Sequence, residues 1–292
     1  MLFGSKTRKF FIFYLSRLRR HGSINMTGLY NNRIVVKVGT SSITNDMGKS
    51  DLRAIDKLVC TLSDIHNMGY EVILVSSGAI AVGRNKLNMI NLDSMRKKQA
   101  AAAVGQCSIM YLYDKFFSHY DKTVAQILLN AEDIEQDEKK ENLTNTFNTL
   151  LDIGIIPIVN ENDSVSYTEI ESEDRLFGDN DMLSAVVAVL CRAKKLIILS
   201  DINGLYDSDP RFNPNAKLIE RIDNFNETVY SLAGGAGSRR GTGGMKTKLK
   251  ATELVISQGS DAFITNGKHP ENIYDIINGK LVGTMFKGRN IV

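Results

Sequence analysis

Cysteine is scarce in this chain and nowhere paired by spacing: Cys60, Cys107 and Cys191 are odd in number, far apart and without a CxxC pair. That excludes a disulfide framework and a structural zinc site, and the three read as buried thiols in a reducing, cytoplasmic setting. Net charge is also lacking. Lys and Arg total 36 against 33 Asp and Glu, a formal +3, which gives no whole-chain argument for a nucleic-acid partner. No uninterrupted apolar run approaches the roughly 18 residues of a membrane span, so no membrane partner is expected. His21, His66, His119 and His269 share no ligand spacing, which leaves them as surface histidines and gives metal catalysis by histidine no support. The common nucleotide motifs are missing too. No GxxxxGK[ST] occurs, Gly235-x-Gly237 lacks the third glycine of the dinucleotide pattern and follows no strand, and there is no HRD or DFG triplet.

The start of the chain stands apart. Lys6, Arg8, Lys9, Arg17, Arg19 and Arg20 occur there without an acidic residue, and the apolar stretch at 10–15 is too short for a secretory signal. Residues 1–30 therefore read as a basic extension before a domain spanning 31–292, with Met26 as a candidate natural start and a membrane-surface tail as the alternative. A length of 292 residues allows one large α/β domain or two closely joined lobes.

What the chain does contain is a strand and helix alternation. Residues 33–38 are apolar beyond Arg33, as a strand covered on both faces requires. Leu52, Ile55, Leu58, Val59, Leu62, Ile65 and Met68 then recur at spacings of three and four, with Ser50 or Asp51 to cap the helix and Gly69 to end it. Further strands are expected at 72–75, 123–129, 155–159, 196–199 and 261–265, with a strand-like stretch at 281–286. Helices are expected at 94–118, 143–153, 182–191 and 245–257, and the charge run at 132–141 reads as a solvated helical face. The fold class that follows is α/β with a mainly parallel sheet.

Ligands in such sheets bind beyond the carboxyl ends of the strands. There the sequence collects Gly39-Thr40-Ser41, Ser76-Ser77-Gly78-Ala79, Asn160-Glu161-Asn162-Asp163 and Ser200-Asp201-Ile202-Asn203-Gly204. Residues 39–42 and the glycine-rich run 234–244 each precede a helix, an arrangement in which backbone N–H groups hold phosphate oxygens. Lys37 closes an apolar strand directly before a Gly-Thr-Ser turn, and this context outweighs the reading of an ordinary strand-end lysine. Asp179 suits a helix cap, whereas Asp181 is read as functional. For Ser77 a buried turn, and for the glycine run a flexible surface turn, are the plainer alternatives.

The segments Val35-Val36-Lys37-Val38-Gly39-Thr40-Ser41, Val75-Ser76-Ser77-Gly78-Ala79-Ile80-Ala81-Val82-Gly83, Asn160-Glu161-Asn162-Asp163, Gly178-Asp179-Asn180-Asp181, Ser200-Asp201-Ile202-Asn203-Gly204-Leu205-Tyr206 and Gly241-Thr242-Gly243-Gly244-Met245-Lys246-Thr247-Lys248 follow in order. The series resembles the amino-acid kinase family, in its glutamate 5-kinase branch, from about residue 34 to about residue 286. The resemblance implies that family's three-layer αβα sandwich and ATP-dependent phosphorylation of the glutamate side-chain carboxylate to L-glutamyl 5-phosphate, the first step of proline biosynthesis. It implies catalytic roles for Lys37, Lys248 and Asp181, the lysines facing the phosphates and Asp181 pairing with both. It gives Ser77, Asp163 and Asn180 to L-glutamate, and Lys37, Ser200, Asp201, Thr242, Gly243, Gly244, Met245, Lys246, Thr247 and Lys248 to ATP. Tyr206, from its loop position, is set against the adenine.

Such a reaction suits these residues. A glutamate carboxylate, with a reference pKa of about 4.3, is already an anionic nucleophile, so catalysis is mostly positioning and neutralisation of charge by cations and Mg²⁺. Mg²⁺ is expected on ATP oxygens and water, with no protein ligand. The resemblance further implies a functional link to a glutamyl-phosphate reductase, proline as a feedback inhibitor and a homo-oligomer. Many members carry an additional C-terminal PUA domain; this chain is expected to be the kinase domain alone, with a longer and more acidic segment at 166–177. Rival readings are kinases of the same fold acting on acetylglutamate, aspartate, carbamate, uridylate or an isoprenoid phosphate. Gly39-Thr40-Ser41 in place of a glycine pair speaks against the first, and the absence of room for regulatory domains against the second. A nucleotide sensor without catalysis would be expected to have replaced Lys37, Lys248 or Asp181, and all are present.

Overall fold

The computed structural model describes residues 30–45, 47–165, 179–232 and 244–289. Residues 1–29 of the basic extension, the 166–177 segment, and the glycine run with Thr242 and Gly243 lie outside the described residues. The elements are β1 (Tyr30–Val38), α1 (Thr40–Ile43), α2 (Leu52–Asn67), β2 (Glu71–Ser76), α3 (Ala79–Lys86), α4 (Met95–His119), β3 (Val124–Leu129), α5 (Ala131–Glu135), α6 (Asp137–Asp152), β4 (Ile156–Glu161), α7 (Asn180–Leu190), β5 (Ala193–Ser200), β6 (Arg221–Ile222), α8 (Glu227–Leu232), α9 (Met245–Ser257), β7 (Asp261–Asn266), α10 (Asn272–Ile277) and β8 (Thr284–Phe286).

The strands form one sheet in the order β3-β4-β2-β1-β5-β7-β8-β6, parallel throughout except for the β7 and β8 pair. Side chains alternate across a strand, and β1 shows the consequence. Ile34, Val36 and Val38 enter a core with residues of α2, α4 and α10, while Val35 enters a second core with residues of α6, α7 and α9. Two cores on two faces make three layers, as the sequence led us to expect. By the same parity Lys37 falls on the α7 and α9 face.

At the foot of β1, Arg33 is almost wholly buried and paired at Nε and Nη1. Its Nε lies 2.6 Å from Glu71 Oε2, and its Nη1 donates to Asn148 Oδ1 at 3.0 Å and to the Cys191 carbonyl at 2.8 Å. Such a side chain is expensive to desolvate, and these contacts, with the Tyr30 ring 4.0 Å from the guanidinium carbon, offset that cost.

The structure departs from the sequence reading in several places. The short helices α1, α3 and α10 were not expected, and α6 starts at Asp137, six residues before the helix anticipated at 143–153. The charge run divides between α5 and the first turn of α6 and is mostly solvent-facing. Asp51, not Ser50, caps α2, accepting from the Arg53 and Ala54 N–H groups. Only Cys191 is a buried thiol; Cys60 and Cys107 are exposed, because each lies off the apolar stripe of its helix. Among the described residues no helix is long and apolar enough to cross a membrane.

Candidate active site

Strand register gathers the rim motifs. Val38 pairs with Ser76 on one side and with Leu199 on the other, so the turns after β1, β2 and β5 emerge side by side. Gly78, the residue before α3, has φ +99°, a conformation open to glycine, and this turns Ser77 and the start of α3 onto the rim. The helix α3 crosses α4 very closely. A Cβ on Gly83 would sit 1.8 Å from the Ala101 carbonyl oxygen, and one on Gly105 would sit 1.7 Å from that of Ala79.

On the other face three charged side chains converge. Lys37 Nζ lies 2.6 Å from Asp181 Oδ1, and Lys248 Nζ lies 3.1 Å from Asp181 Oδ2. The Thr247 hydroxyl stands 2.9 Å from the same Oδ2 and 2.9 Å from the Gly244 carbonyl. Lys37 is 7 % exposed, Lys248 6 % and Asp181 0 %, so the cluster is a buried one. Burial by itself pushes the Asp181 carboxyl up, but the attraction of Lys37 and Lys248 outweighs it and holds the group down at about 2. Asp181 also sits in the first turn of α7, where the helix dipole favours a carboxylate. Asp179 caps that helix, accepting from the Asp181 and Met182 N–H groups, and burial together with repulsion from Asp181 raises its carboxyl pKa.

Next to this cluster lies a network of amides. Asn180 Nδ2 stands 2.9 Å from Ser77 Oγ, 3.0 Å from the Ser76 carbonyl and 2.9 Å from Asn160 Oδ1. Asn160 Nδ2 donates in turn to Gln106 Oε1 at 2.8 Å. Behind Ser77, the buried Tyr113 hydroxyl meets Ser76 Oγ at 2.9 Å. Gln106 and Asp163 both line a cavity of about 430 Å³ between α4 and the ends of β3 and β4, together with Ala102, Cys107 and Met110. Desolvation raises the Asp163 carboxyl to about 6. An anionic group able to receive an ammonium thus stands on the wall of a small cavity.

The remaining candidates are spread along the rim. Ser200 is buried at the end of β5 and donates from Oγ to Asp201 Oδ1 at 3.2 Å, while Asp201 itself is exposed. Lys246 is exposed and Met245 half-buried at the start of α9. Tyr206 is half-buried, its hydroxyl accepting from Asn203 Nδ2 at 3.3 Å. Sequence reasoning gave no role to Gln106, Tyr113 or the Asn160 side chain. Gln106 and Tyr113 lie within a long helix far from any glycine-rich turn, where only the fold reveals what they reach. Asn160 stood inside a quoted motif and was the more visible of the three.

A sheet of this order, with a buried pair of lysines on one carboxylate at its carboxyl rim, defines a class. The model of the amino acid kinase family matches residues 32–266, and the chain belongs to that family. Among its curated relatives, the glutamate 5-kinase of Clostridium perfringens is 52 % identical over 257 residues, covering 88 % of this chain and 95 % of the relative. The glutamate 5-kinase of Enterococcus faecalis is 49 % identical, covering 87 % and 94 %. Solved structures of similar fold include carbamate kinase from Giardia lamblia bound to AMP-PNP, at TM-score 0.62 and 17 % identity over 90 % of this chain and all of that one. UMP kinase from Bacillus anthracis superposes at TM-score 0.59 with 14 % identity, over 88 % and 96 %.

Proposed function

We propose that this chain transfers the γ-phosphoryl group of ATP to the side-chain carboxylate of L-glutamate, giving L-glutamyl 5-phosphate. The observation that carries the reading is the buried cluster of Lys37, Asp181 and Lys248, connected through Asn180 and Asn160 to Gln106 on the wall of the cavity. Half-identity to glutamate 5-kinases over nearly their whole length supports the choice of acceptor.

In this reaction Lys37 and Lys248 neutralise charge on the transferring phosphoryl, and Asp181 fixes both ammonium groups so that no reorganisation is needed as that charge moves. Ser77 and Asn180 orient the amino acid, and Asp163 pairs with its ammonium group. Ser200, Asp201 and residues 242–248 surround the nucleotide, with Tyr206 against the adenine. Among the described residues no group of three His, Cys, Asp or Glu side chains is placed to hold a metal ion, and Mg²⁺ enters as the ion carried by ATP. The product is an acyl phosphate that hydrolyses readily, which calls for a reductase to consume it early in proline synthesis. Proline as inhibitor and a homo-oligomeric state belong to the same proposal.

The test is ADP release from Mg-ATP with glutamate, acetylglutamate, aspartate and carbamate offered separately, and hydroxylamine present to trap an acyl phosphate. Turnover and a hydroxamate with glutamate alone support the reading; inert glutamate overturns it.

A further inference from the structure

Two backbone groups set the orientation of the amide network, the Glu161 N–H at Asn160 and the Ser76 carbonyl at Asn180. Asn160 Oδ1 accepts from the Glu161 backbone N–H at 2.9 Å, and because that group can only donate, the contact fixes which end of the Asn160 amide is oxygen. Asn160 Nδ2 therefore donates to Gln106 Oε1 at 2.8 Å, which fixes the Gln106 amide as well. Toward the rim, the same Asn160 oxygen receives Asn180 Nδ2 at 2.9 Å. With its nitrogen spent on Asn160, Ser76 and Ser77, Asn180 has only Oδ1 left to offer a ligand. An acceptor at that point suits an ammonium group and not a carboxylate.

Asn160 is 3 % exposed, so its Nδ2 depends on Gln106, and an apolar side chain of similar bulk there would offer it no acceptor. A buried amide donor without a partner is costly, and the side chain would rotate to find one, abandoning Asn180. Gln106 reaches Asn160 because the neighbouring Gly105 lets α4 approach the Ala79 backbone with no side chain between.

We propose that Gln106 is a positioning residue of the amino-acid site: acting through Asn160, and together with the Ser76 carbonyl and the Ser77 hydroxyl, it holds the Asn180 amide with its oxygen offered to the substrate ammonium group. The proposal rests on the glutamate reading above.

The test compares wild type, Gln106→Leu, Asn160→Ala and the double variant, with glutarate, which has both carboxylates and no ammonium group, as the second acceptor. Gln106→Leu is expected to raise the glutamate KM roughly tenfold, to leave the ATP KM unchanged and to narrow the preference for glutamate over glutarate. The double variant is expected to be no worse than Asn160→Ala. An unchanged glutamate KM, an unchanged preference, or effects that multiply in the double variant overturn the proposal. Should Gln106→Leu fail to fold, Gln106→Met, of similar length and a poor acceptor, is held to the same outcomes. A wild type without glutamate turnover refutes the glutamate reading itself, and the role of Gln106 with it.

Discussion

Lys37 Nζ stands 2.6 Å from Asp181 Oδ1, a contact that joins the end of the central strand to the first turn of a helix on one face of the sheet. Lys248 approaches the other oxygen of the same carboxylate. Two ammonium groups thus share one carboxylate that stays ionised.

Replacing Lys248 by alanine should lower turnover on the order of 10²-fold or more, with the far-ultraviolet circular dichroism unchanged. Steady-state ADP release measures this, and retained turnover would remove Lys248 from the machinery.

The cluster proposed for catalysis should cost stability. Asp181→Asn removes the carboxylate that two buried lysines share and should destabilise the fold by about 3–5 kcal/mol. Joint replacement of Lys37, Asp181 and Lys248 by Met, Leu and Met should recover most of that loss while abolishing activity. Urea denaturation of both variants checks the pair of outcomes; equal stability losses would show that the carboxylate does not serve to neutralise the lysines.

Asp163 and Asp181 should part company as pH falls. Asp163, raised to about 6, loses its charge first, so the glutamate KM should climb as pH drops through about 6 while the ATP KM holds. Asp163→Asn should abolish that limb. For stability the signs are opposite. The raised Asp163 favours the fold at low pH, and this contribution is lost as pH rises through about 6; Asp181, held at about 2, contributes above the ordinary aspartate value near 3.8 and is lost as pH falls through about 2.

Much of this architecture was legible in the chain. β1, β2, β5 and β7 announce themselves as apolar, β-branched runs because both of their faces are covered, and α9 was anticipated at its observed ends, 245–257. The helices α1, α3 and α10 were not, since each is too short to show a full apolar stripe, and α3 owes its start to the backbone twist at Gly78. For Cys60 the signal was present and unused: it follows Val59 by a single residue, about 100° round the helix from the buried stripe. Lys37 was readable from its strand and turn, whereas Gln106 depends on a helix crossing that no local pattern encodes.

Thiol chemistry follows from those positions. In the native protein Cys60 and Cys107 should react with an aromatic disulfide reagent, and Cys191 only after unfolding. Because Cys107 lines the cavity with Asp163, glutamate should slow labelling of one thiol and leave the other untouched. Mass mapping of the labelled peptides reads the result, and protection of neither would place the amino acid elsewhere.

Gly105→Ala should be far more damaging than a methyl group suggests. The added carbon meets a backbone carbonyl, which cannot swing aside as a side chain would, so α3 and α4 must separate. A loss of about 2 kcal/mol or more is expected, read as a lower melting temperature, with a raised glutamate KM in whatever still folds.

The cavity is walled by residues between Ala79 and Ser164, whereas the rim candidates proposed for the nucleotide run from Ser200 to Lys248, with Lys37 as the exception. On the proposed reaction, acceptor and donor are therefore written in successive stretches of the gene. A crossover ahead of α7 would exchange one pocket while leaving most of the other intact, a route by which a lineage changes what it phosphorylates without relearning how to hold ATP. Lys37 on one side of that point, and Asn180 and Asp181 on the other, must suit both inheritances at once.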